Sequence, residues 1–308
     1  MTDRDERARL WLDGVLGRVD SIEVVRERAW GAIWKVRAAG DLFWLKLPHA
    51  TFTAEIGLVR RLSALSPQHL LVPVAMHDEE GWILTRDAVS TLAPLSREPG
   101  GERLYVDAAR SLAAVQRAVH EDESTHTFVV SHLPTYDANA YVANMADVVK
   151  FCGALPGQHP LHLSAGQGGA TLEEAAVLAS AWAALADPLG MGLDHNDFHL
   201  GNAYPGPLLS DWGDSVAAHP FSSLRPLVIV GRKMFGQSLA DEVRTAYLEA
   251  WGVPTRADEL ELAMRMASPQ RMHAWRRVAD EATLAEWSGY IRPLVDCIAL
   301  PIDEQDVP

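Results

Sequence analysis

Between Asp194 and Ser215 the chain reads DHNDFHLGNAYPGPLLSDWGDS, the stretch that most constrains how the remainder can fold. Asp197 and Asn202 stand five positions apart, and Asp211 follows nine later, after a Pro-Gly turn and a two-leucine run. Two carboxylates and a carboxamide therefore sit on short connections behind an alanine-rich helical segment. Phosphoryl transfer asks for such a set. It needs a carboxylate to accept the proton of the attacking hydroxyl and hard oxygen ligands for the magnesium that bridges nucleotide phosphates.

An Asp, an Asn five residues on, and an Asp-X-Gly after a short strand is also the protein-kinase catalytic spacing. HNDFHLGN resembles the HGDLHPGN loop of the aminoglycoside phosphotransferase family, which includes choline-kinase-like and other small-molecule kinases. LLSDWGD resembles that family's IDWG segment. The resemblance implies an α+β, two-lobe protein-kinase-like fold. It implies Asp197 as catalytic base, Asn202 and Asp211 as magnesium ligands, and ATP or GTP as phosphoryl donor. The acceptor would be a hydroxyl of an antibiotic, amino sugar or amino alcohol. Asn196 stands where the family has Gly, and Leu200 where it has Pro; neither position carries the chemistry.

Two rival readings use the same residues. His195, Asp197 and His199 share a side of an extended segment and read alternatively as metal ligands of a metallohydrolase. No further tight His/Asp cluster completes such a shell, and His195 reads more simply as a structural histidine bonded to backbone. A nucleotide-binding pseudokinase or regulatory module is the second rival. Lys46, Asp197, Asn202 and Asp211 are all present, which argues against it.

The 308 residues carry 27 basic and 41 acidic side chains, a net charge of −14. That balance argues against nucleic acid as a partner and is compatible with a cationic substrate. Two cysteines, Cys152 and Cys297, suit a reducing compartment. The charged N-terminus and the lack of a long apolar run predict a cytoplasmic protein without membrane attachment.

Taken in order, residues 1–88 read as an N-terminal lobe: a helix over 4–17, strands over 21–28, 32–38, 42–47, 70–77 and 82–85, and a helix over 54–65 capped by Thr53. The loop between the first two strands, ERAWGAIWKV, holds one glycine, Gly31, where kinases carry a glycine-rich phosphate loop. Lys46 lies in an apolar strand, where an ammonium wants an anion. Glu55 shares a helix face with Val59 and Leu62, so a Lys46–Glu55 pair is expected. The family match makes Lys46 the lysine that holds nucleotide phosphates. Thr85 and Arg86 fall at the hinge, where backbone groups would hold the base.

Residues 89–308 read as a mainly helical C-terminal lobe carrying the catalytic loop (194–202) and the DWGD (211–214). Helices are expected over 104–119, 137–151, 171–185, 226–236, 239–251, 258–267, 270–286 and 288–299, with a mobile surface loop, or alternatively a substrate-facing flap, over 153–169. Asp241, Glu242, Asp258, Glu259 and Glu261 read most simply as solvated helix faces; the resemblance offers the alternative that some of them line a cation pocket, which aminoglycoside kinases build in this region. His219 reads as structural, and Trp275 and Trp287 as core.

Overall fold

The computed structural model describes residues 3–28, 30–49, 54–278 and 280–306. Helix α1 (Asp3–Leu16) is followed by β1 (Val19–Arg28), β2 (Gly31–Ala38) and β3 (Asp41–Pro48). Strict alternation organises this part. Ala32, Trp34 and Val36 of β2 and Phe43, Leu45 and Leu47 of β3 pack on Ala8 and Leu12 of α1 as a small separate core. Successive strand residues point to opposite faces, so Lys46 is delivered to the other side of the sheet. Helix α2 (Ala54–Leu65), β4 (Ala75–His77) and β5 (Trp82–Arg86) complete an antiparallel sheet of order β1-β2-β3-β5-β4. Edge strand β1 is mostly exposed, charged and interrupted by two register shifts, which discourages pairing with another chain. Thr53, the expected cap of α2, lies outside the described residues.

The strand expected over 70–77 is shorter than its sequence suggests. Pro73 cannot donate to a ladder, and the residues before it turn to the other lobe, where the Leu71 N–H donates to Leu209 O at 2.9 Å. Only Ala75–His77 joins the sheet.

The C-terminal lobe begins with α3 (Leu92–Leu95), α4 (Glu102–Glu121), α5 (Glu123–His132), α6 (Tyr141–Ala154) and α7 (Ala165–Ala183). Four short strands follow: β6 (Gly192–Asp194), β7 (Ala203–Tyr204), β8 (Leu208–Leu209) and β9 (Val216–Ala218). Helices α8 (Arg225–Phe235), α9 (Gln237–Trp251), α10 (Ala257–Arg265), α11 (Ser268–Val278), α12 (Glu281–Glu286), α13 (Ser288–Ile291) and α14 (Pro293–Asp296) close the lobe. Helix α4 is its axis: Ala108, Leu112 and Val115 are fully buried in a core shared with Leu62 of α2 and with Val243 and Tyr247 of α9. That shared core ties the two lobes together.

Several expected boundaries shift for local reasons. Helix α5, absent from the sequence expectation, starts where the Asp122 carboxylate accepts the Thr125 N–H at 2.7 Å. The last five residues of the loop expected over 153–169 are helix, because Ser164 and Gln167 form a capping box that starts α7 at Ala165. The single helix expected over 270–286 is two, with Asp280 capping the second. Pro293 divides the last expected helix, since its ring cannot continue the preceding turn. No helix among the described residues is long and apolar enough to cross a membrane.

Candidate active site

Strands β6 and β9 pair from Gly192↔Ala218 to Asp194↔Val216, so the segment between them leaves and returns at one place. Its base is fixed by buried polar contacts. The Asp194 carboxylate accepts the Ser223 hydroxyl at 2.6 Å and the Asn196 N–H at 2.8 Å. The Gln116 amide, reaching from α4, donates to Leu193 O and Pro220 O, each at 2.8 Å. Phe198 and Leu200 anchor the same loop in the main core. With those side chains pinned inside, Asp197 and His199 face outward, each about two-fifths exposed (41 % and 44 %).

Asn196 has φ +62°, in the left-handed region. Glycine is the default residue there and Asn the best-tolerated substitute, which accounts for the exchange at this position. The Asn196 side chain also donates to Gln270 O at 3.0 Å. His195 is fully buried, with its Nε2 3.0 Å from Ser210 O and its ring 4.5 Å from that of Trp212. It supports the loop from behind.

The three expected site residues line one cavity between the lobes, of about 480 Å³, together with Lys46. The Asn202 amide donates to Asp197 O at 2.9 Å and reaches Asp197 Oδ2 at 3.5 Å, which leaves its Oδ1 as the atom available to a cation. Asp211 also has a left-handed backbone (φ 60°), and this turn swings its carboxylate onto Lys46 Nζ. Lys46 Nζ donates to Glu55 Oε1 at 2.8 Å as well. Gly213 makes the approach of loop and pair feasible: a Cβ there would stand 3.1 Å from both Lys46 Nζ and Glu55 Oε2. Across the cavity, Gly31 passes so close to β3 that a Cβ would lie 2.6 Å from Leu47 O.

The electrostatics follow from crowding. Burial lowers the Lys46 pKa, but Asp211 and Glu55 outweigh it and hold the ammonium charged. Burial raises Asp197, yet His199, Arg271 and His195 hold it down at about 2. Asp214, the last residue of the DWGD, is pushed up to about 7 by burial and then by Asp197 and Asp211. Asn202 Oδ1 and the Asp211 and Asp214 carboxylates are hard oxygen donors around one cavity, the set magnesium takes. A divalent cation would relieve the repulsion that raises Asp214.

Thr85 and Arg86 take a different place. The Thr85 hydroxyl donates to Trp44 O at 3.5 Å, and Arg86 pairs with Asp41 at 2.7 Å and lies over the Phe43 ring. Neither side chain lines the cavity, so any contact with a base there is left to the backbone. Among the described residues no three His, Cys, Asp or Glu side chains converge as a metal shell, and His195 spends its Nε2 on Ser210. His219 is buried against Glu259 at 2.9 Å, a structural contact.

Sequence reasoning missed Arg271 of α11. Its Nη1 donates to Asn196 O at 2.8 Å, and its Nη2 lies 3.9 Å from Asp197 Oδ1. It also did not place Trp30, Trp275, Trp287 and Tyr290, which line the same cavity. Trp275 and Trp287, read as core, are half-buried: they pack against the core cluster of Met272, Leu284 and Leu294 and also line the cleft. The signal was faint: Arg271 and Trp275 share a helix face by their i, i+4 spacing, but nothing local says what that face meets.

No protein-family model matches this chain, and no curated protein matches it in sequence. Solved structures do match it along nearly its whole length. A choline kinase from Streptococcus pneumoniae superposes with a TM-score of 0.64 at 11% identity, over 97% of this chain and 99% of that one. A choline/ethanolamine kinase family protein from Mesorhizobium loti gives 0.61 at 19% identity, over 96% and 95%. A spectinomycin phosphotransferase, solved with ADP and spectinomycin, gives 0.61 at 12% identity, over 97% and 98%. The chain therefore has the two-lobe, protein-kinase-like fold of small-molecule kinases.

Proposed function

We propose that this protein is a small-molecule kinase that moves the γ-phosphoryl group of ATP or GTP onto a hydroxyl of its acceptor. In that reaction the acceptor oxygen attacks the γ-phosphorus, the bond to the β–γ bridging oxygen breaks, and the nucleoside diphosphate departs. Asp197 orients the hydroxyl and accepts its proton. Lys46, braced by Glu55, neutralises phosphate charge, and Asn202 and Asp211 hold magnesium, whose role is to offset the negative charge of the phosphates. Thr85 and Arg86 border the base through their main chain. Positioning and fixed electrostatics supply most of the rate gain, because no covalent intermediate is needed. The lobes divide near residue 88, with the nucleotide in the cleft between them.

One observation carries this reading: a separate strand, a separate helix and two loops deliver Lys46, Glu55, Asp197, Asn202 and Asp211 to a single interlobe site. The kinases of like fold, some solved with GDP or ADP, support it. The test is incubation with magnesium and ATP, and separately GTP, over antibiotics, sugars and amino alcohols, read by mass spectrometry. Gain of one phosphoryl group on an acceptor, lost without magnesium, supports the proposal. Nucleotide binding with no transfer to any acceptor would favour a regulatory module.

A further inference from the structure

Resting on the kinase reading, we infer that Arg271 is a positioning residue: with it, helix α11 clamps Asn196, the residue before the base, and so aims the Asp197 carboxylate at the acceptor hydroxyl. The carboxylate is not aimed by bonds of its own. Among the described residues the donors that approach it are Asn202 Nδ2 at 3.5 Å and His199 Nε2 at 3.6 Å on Oδ2, and Arg271 Nη2 at 3.9 Å on Oδ1. All three exceed the reach of a good N–H···O bond, about 3.2 Å. The Asp197 side chain is also 41% exposed, so no packing fixes it either. Its direction comes from the backbone that carries it.

That backbone is gripped from α11 at a single residue. Asn196 donates its side-chain amide to Gln270 O at 3.0 Å and accepts at its own carbonyl from Arg271 Nη1 at 2.8 Å. Consecutive residues of one helix thus hold both polar ends of a residue whose φ is +62°. A left-handed, non-glycine backbone persists only where its surroundings over-determine it. On the far side the Asp197 carbonyl accepts from Asn202 Nδ2 at 2.9 Å, which braces the base from behind. Helix α11 is a firm anchor, because Met272, next to Arg271, is fully buried in a core cluster with Cys152, Leu161 and Leu294. The guanidinium is itself largely dry: its side chain is 14% exposed and its Nε is buried with no hydrogen-bond partner among the described residues. Asp197 is the one carboxylate within salt-bridge distance of it among those residues. A planar fork can serve the carbonyl with one nitrogen and face the carboxylate with the other, which a lysine ammonium does less well.

The test uses the full chain with magnesium and ATP, water serving as the acceptor, so that phosphate release reads transfer without a known substrate. Arg271→Met should lower kcat by about 10²-fold, the cost of displacing a reacting group by about 1 Å, with the ATP KM and the ADP affinity by calorimetry unchanged. Arg271→Lys, which keeps the charge, should recover part of that loss. Asn196→Gly, which keeps the turn but drops the Gln270 bond, should also lower kcat at unchanged KM. A double-mutant cycle separates positioning from direct contact: with Asp197→Ala already present, Arg271→Met should cost nothing further, because both act through one carboxylate. A loss of the same size in both backgrounds would overturn the inference and make Arg271 a contact of the phosphates. Unchanged kcat in Arg271→Met and Asn196→Gly would overturn it too, as would a raised KM with kcat intact. Should Arg271→Met misfold and bind no ADP, Arg271→Lys and Asn196→Gly carry the same comparison. A wild-type protein that binds ADP yet transfers phosphate neither to water nor to any screened acceptor would overturn the inference and leave the nucleotide site standing. Failure of the wild-type protein to bind nucleotide would remove the kinase reading itself.

Discussion

Lys46 Nζ donates to Glu55 Oε1 at 2.8 Å and at the same time meets Asp211, so one ammonium joins strand β3, helix α2 and the loop after β8. The Glu55 side chain is only 2% exposed, so the pair is shielded from solvent on the acid side. Removing one member leaves the other charge uncompensated in a dry place, which costs more than the pair itself contributes. Lys46→Met is expected to lower kcat/KM for the nucleotide by about 10²–10³-fold, the range for losing one fixed electrostatic contact. Glu55→Gln, which keeps shape but not charge, should cost about 10–100-fold, as loss of an orienting partner does. Steady-state kinetics with varied nucleotide would measure both.

Asn196 tests the left-handed turn at the catalytic loop. Asn196→Ala places a Cβ residue without local hydrogen bonding at φ +62° and also deletes the bond to Gln270 O. The expected loss of stability is about 2–3 kcal/mol, from a left-handed penalty of about 1–2 kcal/mol and a hydrogen bond of about 1 kcal/mol. Asn196→Gly should lose only the bond, so it should unfold at a higher urea concentration than the alanine variant.

Asp194 supplies a pH dependence with a definite sign. Burial raises its pKa from 3.8 to about 6, against the bonds from Ser223 and Asn196. Between those two values the folded chain holds a proton that the unfolded chain has released. The Asp194 contribution to stability therefore falls as pH rises through that window and is constant above it. Asp194→Asn should flatten this part of the profile, a difference visible in thermal melts of the two proteins between about pH 4 and 7.

The site was legible wherever chemistry and spacing are local. Asp197, Asn202 and Asp211 lie within fifteen residues of one another, and a connection that leaves and returns at the paired strands β6 and β9 leaves them few places to go. Lys46 and Glu55 were legible because a charge inside an apolar pattern demands a partner, and the helix following the strand offered one. The five antiparallel strands were legible from alternation and turns. What could not be read was long-range: Arg271 lies far along the chain from Asp197, and only the packing of α11 against the loop brings them to 3.9 Å. Trp275 and Trp287 were half legible for a related reason: they do pack against a core cluster, but nothing local shows that they also line the cleft. The misread start of α7 was different in kind. Its Ser164–Gln167 capping box stood in the sequence, obscured by the glycines that follow it.

Substitution of Asp197 tests the central claim most directly. With Asp197→Ala, the account predicts loss of phosphoryl transfer by three orders of magnitude or more, on the order of what losing a base and its orientation together costs. Affinity for ADP with magnesium, measured on the same sample by calorimetry, should change little. Turnover close to that of the wild-type protein in this variant would contradict the account.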